Sequence, residues 1–161
     1  MSKIAVLGDS GVGKTTWLYS MTGQVPLNVY RSTQTEIFYF TETKPHVSFV
    51  GVHGHADDAH VAHMCAGCDG AIVLYRHPHT PLAWLTRLQQ LFPGEITSNF
   101  PIIVCCHGTT CSNDTPLRWR RWFPSAEHYY TCKDNRMSIL DCANRIIFRS
   151  RHMVASPLGD G

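Results

Sequence analysis

Short apolar runs alternate with amphipathic segments along the chain. Continuously apolar runs, as expected for strands buried on both faces of a parallel sheet, lie at residues 3 to 8, 70 to 76 and 102 to 106. Apolar residues at helical spacing lie at residues 15 to 21, 82 to 92 and 139 to 148. This alternation predicts an α/β fold, a mainly parallel sheet with helices on both faces, and ligands at the carboxyl ends of the strands.

Weaker patterns complete the predicted elements. Residues 36 to 52 contain two β-rich runs around a polar turn with Lys44 and Pro45, which indicates a hairpin. Residues 128 to 132 form a less clear strand. We predict one domain at residues 1–150, because the chain is short enough for a single core, and a short flexible C-terminal tail at 151–161.

The predicted helix ends depend on single residues. Thr80 followed by Pro81 is typical of a helix start. Ser138, with Asp141 three residues later, predicts the N-cap of the last helix. The pattern weakens from Arg149, so we expect the chain to fray there.

Composition narrows the partners and the compartment. A net charge of +2 over 161 residues gives no strong field for nucleic acid or an anionic membrane, so no nucleic acid partner is expected. Seven cysteines without an apolar signal segment favour reduced thiols and a cytoplasmic protein. No run approaches the roughly 18 to 20 apolar residues of a membrane span, and no lipidation pattern is present, so we expect no intrinsic membrane anchor.

The stretch GDSGVGKTT at residues 8 to 16 carries the clearest chemistry. Gly8, Gly13, Lys14 and Thr15 satisfy G-x-x-x-x-G-K-(S/T) between a strand and a helix. Glycines let backbone amides surround phosphates, the lysine adds positive charge, and the hydroxyl is a ligand for Mg²⁺. The nucleotide-binding residues predicted here are Gly8, Asp9, Ser10, Gly11, Val12, Gly13, Lys14, Thr15 and Thr16.

This loop, together with YRSTQTEIFYF (30 to 40) and CDGAIVLY (68 to 75), resembles the Ras superfamily of small GTPases, the Rab branch most closely. The resemblance covers residues 3 to 148 and implies a Ras-like P-loop fold. It implies that Thr33, nineteen residues after Lys14, joins Thr15 in holding Mg²⁺. It also implies that Tyr30 closes over the phosphates.

The family's D-x-x-G aligns with Gly51-Val52-His53-Gly54. Gly54 keeps the phosphate-sensing position, whereas Gly51 replaces the aspartate that holds a magnesium-bound water. The neighbouring Asp57 or Asp58 is an alternative source of that carboxylate. His55 stands where the family orients water with glutamine, which makes it the catalytic candidate. The alternative is a solvent-exposed loop histidine.

The guanine-reading N-K-x-D aligns with Cys106-His107-Gly108-Thr109, and the family's S-A-K aligns with Thr131-Cys132-Lys133. Thr109 cannot offer a bidentate carboxylate to guanine, so we expect poor base selectivity. Pro26 or a neighbour replaces the aromatic residue that packs on the base. The base-side contacts implied by the resemblance are His107, Thr131, Cys132 and Lys133.

Two further motifs each have two interpretations. HVAHMCAGC at residues 60 to 68 has the ligand types of a zinc site, but Cys65 and Cys68 would also suit a buried position. RWRRWF at residues 118 to 123 has the composition of a single-strand nucleic acid platform or a partner-docking patch. A short surface helix anchored by one tryptophan explains it equally simply.

Together these features predict a divergent small GTPase that binds GTP or GDP with Mg²⁺, hydrolyses slowly and contacts a protein effector or regulator through its switch regions. ATP is not excluded. The alternatives are a pseudo-GTPase that serves as a binding module in an assembly, or a P-loop ATPase.

Overall fold

The computed structural model describes residues 2–23, 36–94, 100–108 and 118–152. The strands are β1 (Ser2–Leu7), β2 (Glu36–Phe40), β3 (Val47–Gly51), β4 (Gly70–Tyr75), β5 (Ile102–His107) and β6 (Glu127–Thr131). The α-helices are α1 (Lys14–Thr22), α2 (Asp58–Cys65), α3 (Leu82–Leu91) and α4 (Arg136–His152), and a 3-10 helix spans Arg118–Arg121.

The strands form one six-stranded sheet in the order β2-β3-β1-β4-β5-β6. Four of the five strand pairs are parallel, and the hairpin partners β2 and β3 are antiparallel. The predicted mainly parallel α/β sheet and the hairpin are therefore confirmed. β1 lies between β3 and β4, so the chain leaves β1 at a point where the strand order reverses, which is where α/β sheets bind ligands.

Alternate side chains of the buried strands enter two separate cores. On one face, Leu7 and Val73 belong to a cluster with residues of α2 and α3. On the other face, Val6 and Ile72 belong to a cluster with residues of α1 and α4. Helices therefore cover both faces of the sheet, as the apolar runs predict.

The start of α4 differs from the predicted one. The backbone amide of Ser138 donates to Asn135 Oδ1 at 3.4 Å, and its hydroxyl donates to the Asn135 carbonyl oxygen at 2.7 Å. That hydroxyl also accepts from the backbone amide of Cys132 at 3.1 Å. The prediction of Ser138 as N-cap was wrong. Helix α4 begins at Arg136, and the side-chain oxygen of Asn135, in the preceding turn, accepts the hydrogen bond that caps it.

The end of α4 also differs. The helix continues to His152, beyond the point where fraying was expected. Arg149 is buried, and its guanidinium donates to the carbonyl oxygen of Ile102 at 2.9 Å. This contact with the beginning of β5 fixes the last turns of α4. None of the described helices has the length and apolar character needed to cross a membrane.

Candidate functional site

The loops that leave the carboxyl ends of the parallel strands meet at one edge of the sheet. The loop after β1 contains the glycine-rich stretch, and Gly54 in the loop after β3 lies against it. His107, the last residue of β5, lies against Gly13. The structure therefore brings together residues that the sequence separates by almost one hundred positions.

The glycine-rich loop joins β1 to α1 in a conformation that only glycine adopts readily. Gly11 and Gly13 have φ angles of 81° and 98°. Gly13 occupies the N-cap position of α1, and no side chain caps the helix there. The first amides of a nine-residue helix therefore face the loop without a side-chain partner, which is the arrangement that binds anions.

Lys14 spans the loop that precedes it. Its ammonium donates to the carbonyl oxygens of Gly8 at 2.6 Å and Asp9 at 3.1 Å. Burial lowers the pKa of Lys14 to about 8, and the nearby Asp9 carboxylate only partly offsets this effect. An anionic phosphate in the loop would supply the charge partner that a desolvated ammonium needs.

The loop is also tied to α3. The indole Nε1 of Trp84 donates to Asp9 Oδ1 at 3.0 Å. Trp84 is buried, so a rigid side chain holds the Asp9 carboxylate toward α3.

Gly54 allows the loop after β3 to touch the phosphate loop. A methyl group at Gly54 would overlap the backbone amide of Ser10 and the carbonyl carbon of Asp9. Beside it, His55 is exposed, while His53 is half-buried and its Nδ1 has no hydrogen-bond partner among the described residues. Burial and the nearby charges of other histidines and Lys14 lower the pKa of His53.

The acidic residues around this loop are already engaged. Asp9 accepts from Trp84, Asp57 caps α2 by accepting from the amide of His60 at 2.8 Å, and Asp58 pairs with Arg87 at 2.6 Å. The described residues contain no group of three or more histidine, cysteine or acidic side chains suited to a metal ion. Thr15 offers Mg²⁺ a hydroxyl, and a magnesium-bound water at Asp57 or Asp58 would share a carboxylate that already accepts a hydrogen bond.

The base-side residues form a buried polar network. Thr131 Oγ1 lies 2.8 Å from His107 Nδ1 and 2.9 Å from Cys105 Sγ, within hydrogen-bond distance of both. Burial, helped by the Arg76 charge, lowers the pKa of His107 to about 4. The imidazole is therefore neutral near pH 7, and it packs within 3.1 Å of the Cβ position of Gly13.

Arg76 adds a cation that the sequence interpretation missed. It follows β4, and its guanidinium lies 3.9 Å from the Cβ position of Gly13 and 3.7 Å from that of Gly108. The side chain thus bridges the phosphate loop and the end of β5. The sequence could have indicated Arg76 as a site residue, because it directly follows a buried strand and the carboxyl ends of parallel strands lie at one edge of the sheet.

The remaining predicted residues are half-buried, exposed or outside the described residues. Cys132 and Lys133 follow β6 in a turn, where Cys132 is half-buried and Lys133 is exposed. Thr15 is half-buried and Thr16 exposed in the first turn of α1. Tyr30 and Thr33, together with Pro26 and Thr109, lie outside the described residues.

The zinc interpretation of residues 60 to 68 receives no support. Cys65 and Cys68 are buried in the core beneath α2. Burial raises the pKa of each thiol to about 12, as expected for thiols that pack in an apolar core. The alternative, that they pack in the core, is the one the structure supports.

Comparison with known proteins finds no protein-family model that matches the chain and no similar curated protein. The site must therefore be interpreted from its own residues.

Trp84 and His53 were also missed as site residues. Trp84 lies in a regular helical pattern that indicates only core packing, and no sequence signal connects it to Asp9. His53 lies within Gly51-Val52-His53-Gly54, so its proximity to Gly54 was a usable signal.

Proposed function

We propose that this chain is a divergent Ras-like P-loop protein that binds a purine nucleoside triphosphate and acts as a nucleotide-dependent switch. The observation that carries the proposal is the loop at residues 8 to 13, which sets Lys14 and the uncapped start of α1 at the carboxyl edge of the sheet. Backbone amides, a helix N-terminus and a desolvated ammonium together favour a phosphate group over water.

The phosphates would lie in the loop, and Gly54 would face the terminal one. A terminal phosphate that contacts Gly54 would change the position of the loop after β3, since that loop already touches Ser10. This is the physical basis of a switch: the two nucleotide states differ in one phosphate beside a movable loop. A protein effector or regulator that contacts this loop, and a cytoplasmic location, belong to the same proposal.

The base would lie toward His107, Thr131, Cys132 and Lys133. The neutral His107 and the Thr131 hydroxyl supply no carboxylate to accept from the guanine edge. We therefore expect weak discrimination between GTP and ATP.

The proposal includes a Mg²⁺ ion that the protein binds weakly. Thr15 would contribute one ligand and Thr33 is the proposed second, with the nucleotide phosphates supplying others when the ion is bound. The engaged state of Asp9, Asp57 and Asp58 favours a loosely held ion.

The same observation supports a second candidate, a pseudo-GTPase that uses its nucleotide pocket as a structural element. Hydrolysis needs a positioned metal and an oriented water, and the exposed His55 is the proposed residue to orient that water. A protein with these features would bind nucleotide and turn it over slowly or not at all.

The test is extraction of nucleotide that copurifies with the protein, followed by titration with fluorescent GTP and ATP analogues. Lys14→Ala should weaken binding by about tenfold or more, because the phosphate loses a desolvated charge partner. Lys44→Ala removes an exposed lysine in the β2–β3 turn and should leave binding unchanged. Equal affinity of the parent and Lys14→Ala would refute the phosphate loop, and no binding by a folded parent would refute the nucleotide site.

A further inference from the structure

A cavity lies between the β4–α3 connection and the 3-10 helix. Its volume is about 510 Å³. One wall contains Pro78, Pro81 and Leu82, and the other contains Trp119 and Trp122. We call it the tryptophan groove.

The groove exposes aromatic surface that the core does not cover. Trp122 is 60% exposed, although its indole is among the most apolar side chains. Trp119 is buried, and its Nε1 has no acceptor among the described residues. Trp119 therefore forms part of the base of the groove, and Trp122 supplies its exposed aromatic surface.

The groove carries positive charge from arginine. Its lining contains Arg118 and no acidic residue. Arg120 and Arg121 belong to the same 3-10 helix, and the guanidinium of Arg121 lies 5.8 Å from the Trp122 ring centroid. Among the described residues, no carboxylate lies within ion-pair distance of these three arginines.

We propose that the tryptophan groove binds an acidic peptide segment of a protein partner, which inserts a proline or aromatic side chain between Trp122 and the proline wall. Tryptophan and arginine are the residues that dominate protein interfaces, and aromatic grooves bind proline side chains. The peptide carboxylates pair with the arginines, which have no acidic partner among the described residues.

A peptide fits this site better than a single nucleic acid strand. Nucleic acid binding without sequence preference requires a basic track along which successive bases stack. The groove instead presents one exposed tryptophan beside a bounded cavity, in a chain whose net charge is only +2. The groove contains none of the predicted nucleotide-binding residues, so this proposal does not depend on nucleotide binding.

The test is selection of a displayed library of random peptides of about twelve residues against the full chain, with counter-selection against the bare support. Enriched peptides should contain several acidic residues and a proline or aromatic residue. Synthetic peptides from the selection should bind with affinities of about 1 to 100 μM, since one small anchored site supplies the contacts. Their binding should weaken in high salt.

Three variants isolate the site. Trp122→Ala and Arg118→Glu should each weaken peptide binding by about tenfold or more, because one removes the anchor and the other reverses a charge. Met137→Ala, which removes another exposed apolar side chain on α4, should leave it unchanged. Circular dichroism of each variant establishes that it is folded.

The proposal would be overturned by enrichment of neutral or basic peptides, or by peptide binding that a folded Trp122→Ala variant leaves unchanged. It would also be overturned if no selected peptide bound more tightly than about 1 mM. Tighter binding of a single-stranded oligouridylate probe, abolished by the same variants, would assign the groove to nucleic acid instead. Nucleotide titration of Trp122→Ala keeps the two proposals separate, since the groove contains none of the predicted nucleotide-binding residues.

Discussion

Trp84 in α3 donates its indole hydrogen to the carboxylate of Asp9 in the phosphate loop, at 3.0 Å and across 75 positions of sequence. The bond draws the only acidic side chain of the loop toward α3. The guanidinium of Arg87 lies 4.9 Å from the Trp84 ring centroid, so a cation packs against the same indole. Packing of α3 and the conformation of the loop are therefore coupled.

Trp84→Phe should reduce the free energy of unfolding by about 1 to 2 kcal/mol more than Trp119→Phe does. Both substitutions replace a buried indole by a smaller phenyl ring. Of these two tryptophans, only Trp84 has an acceptor for its N–H among the described residues. Urea unfolding of both variants measures the difference. Equal destabilisation would show that the bond to Asp9 contributes nothing to stability.

Gly54→Ala should weaken nucleotide binding by about tenfold or more, because its methyl group would displace the loop after β3 from Ser10. Gly67→Ala is the control: Gly67 has a φ of 78° but open space around it, so that variant should lose about 1 kcal/mol of stability and no affinity. Titration and thermal unfolding of both variants separate the effects. Unchanged affinity in Gly54→Ala would argue against the assigned role of Gly54.

Chelation of Mg²⁺ should weaken GTP binding by the parent by less than about tenfold, since the described carboxylates near the loop are engaged elsewhere. Gly51→Asp should bind more tightly than the parent in Mg²⁺, because the new carboxylate can hold a magnesium-bound water. Titration of both proteins in Mg²⁺ and in EDTA is the measurement. A parent that loses a thousandfold in EDTA would show that other residues hold the ion.

The free energy of unfolding should fall as the pH falls from about 6.5 toward 4. Burial lowers the pKa of His107 and of His128 to about 4, with the charges of Arg76 and Arg120 adding to the effect. An unfolded histidine titrates near 6.5, so between these values the unfolded chain binds more protons and acid favours it. Stability is therefore highest above about pH 6.5.

Urea unfolding at intervals between pH 6.5 and 5 tests this. The double variant His107→Gln, His128→Gln should show a shallower slope with pH, whatever its absolute stability. The interval stays above the range where Glu127 titrates, since the hydrogen bond from Arg145 lowers the pKa of that carboxyl. If the slope of the unfolding free energy with pH were unchanged, these two histidines would not be the cause of the loss of stability in acid.

Single-turnover hydrolysis of GTP should proceed at or below about 10⁻⁴ s⁻¹. His55→Ala should slow it further if His55 orients water, whereas His63→Ala, which removes an exposed histidine of α2, should not. Rapid turnover that His55→Ala leaves unchanged would refute the role of His55. No turnover even in Gly51→Asp would favour the pseudo-GTPase.

Local patterns sufficed for the elements because their signals lie within a few residues. The apolar runs of β1, β4 and β5 and the polar turn of the β2–β3 hairpin each predict their strand directly. The helix ends of α4 were harder, because its first turn uses Asn135, and burial of Arg149 against Ile102 prolongs its end. Those contacts depend on how α4 packs on the sheet.

The sequence by itself determined the alternating α/β elements and the glycine-rich loop at residues 8 to 13, because motif spacing and apolar periodicity are local properties. Only the tertiary structure decided that Trp84 holds Asp9, that His107 packs on Gly13 and that Trp122 stands exposed beside a cavity while Trp119 is buried. The physical reason is that strand order and packing direction decide which distant side chains meet, and RWRRWF contains no periodic signal that separates its two tryptophans.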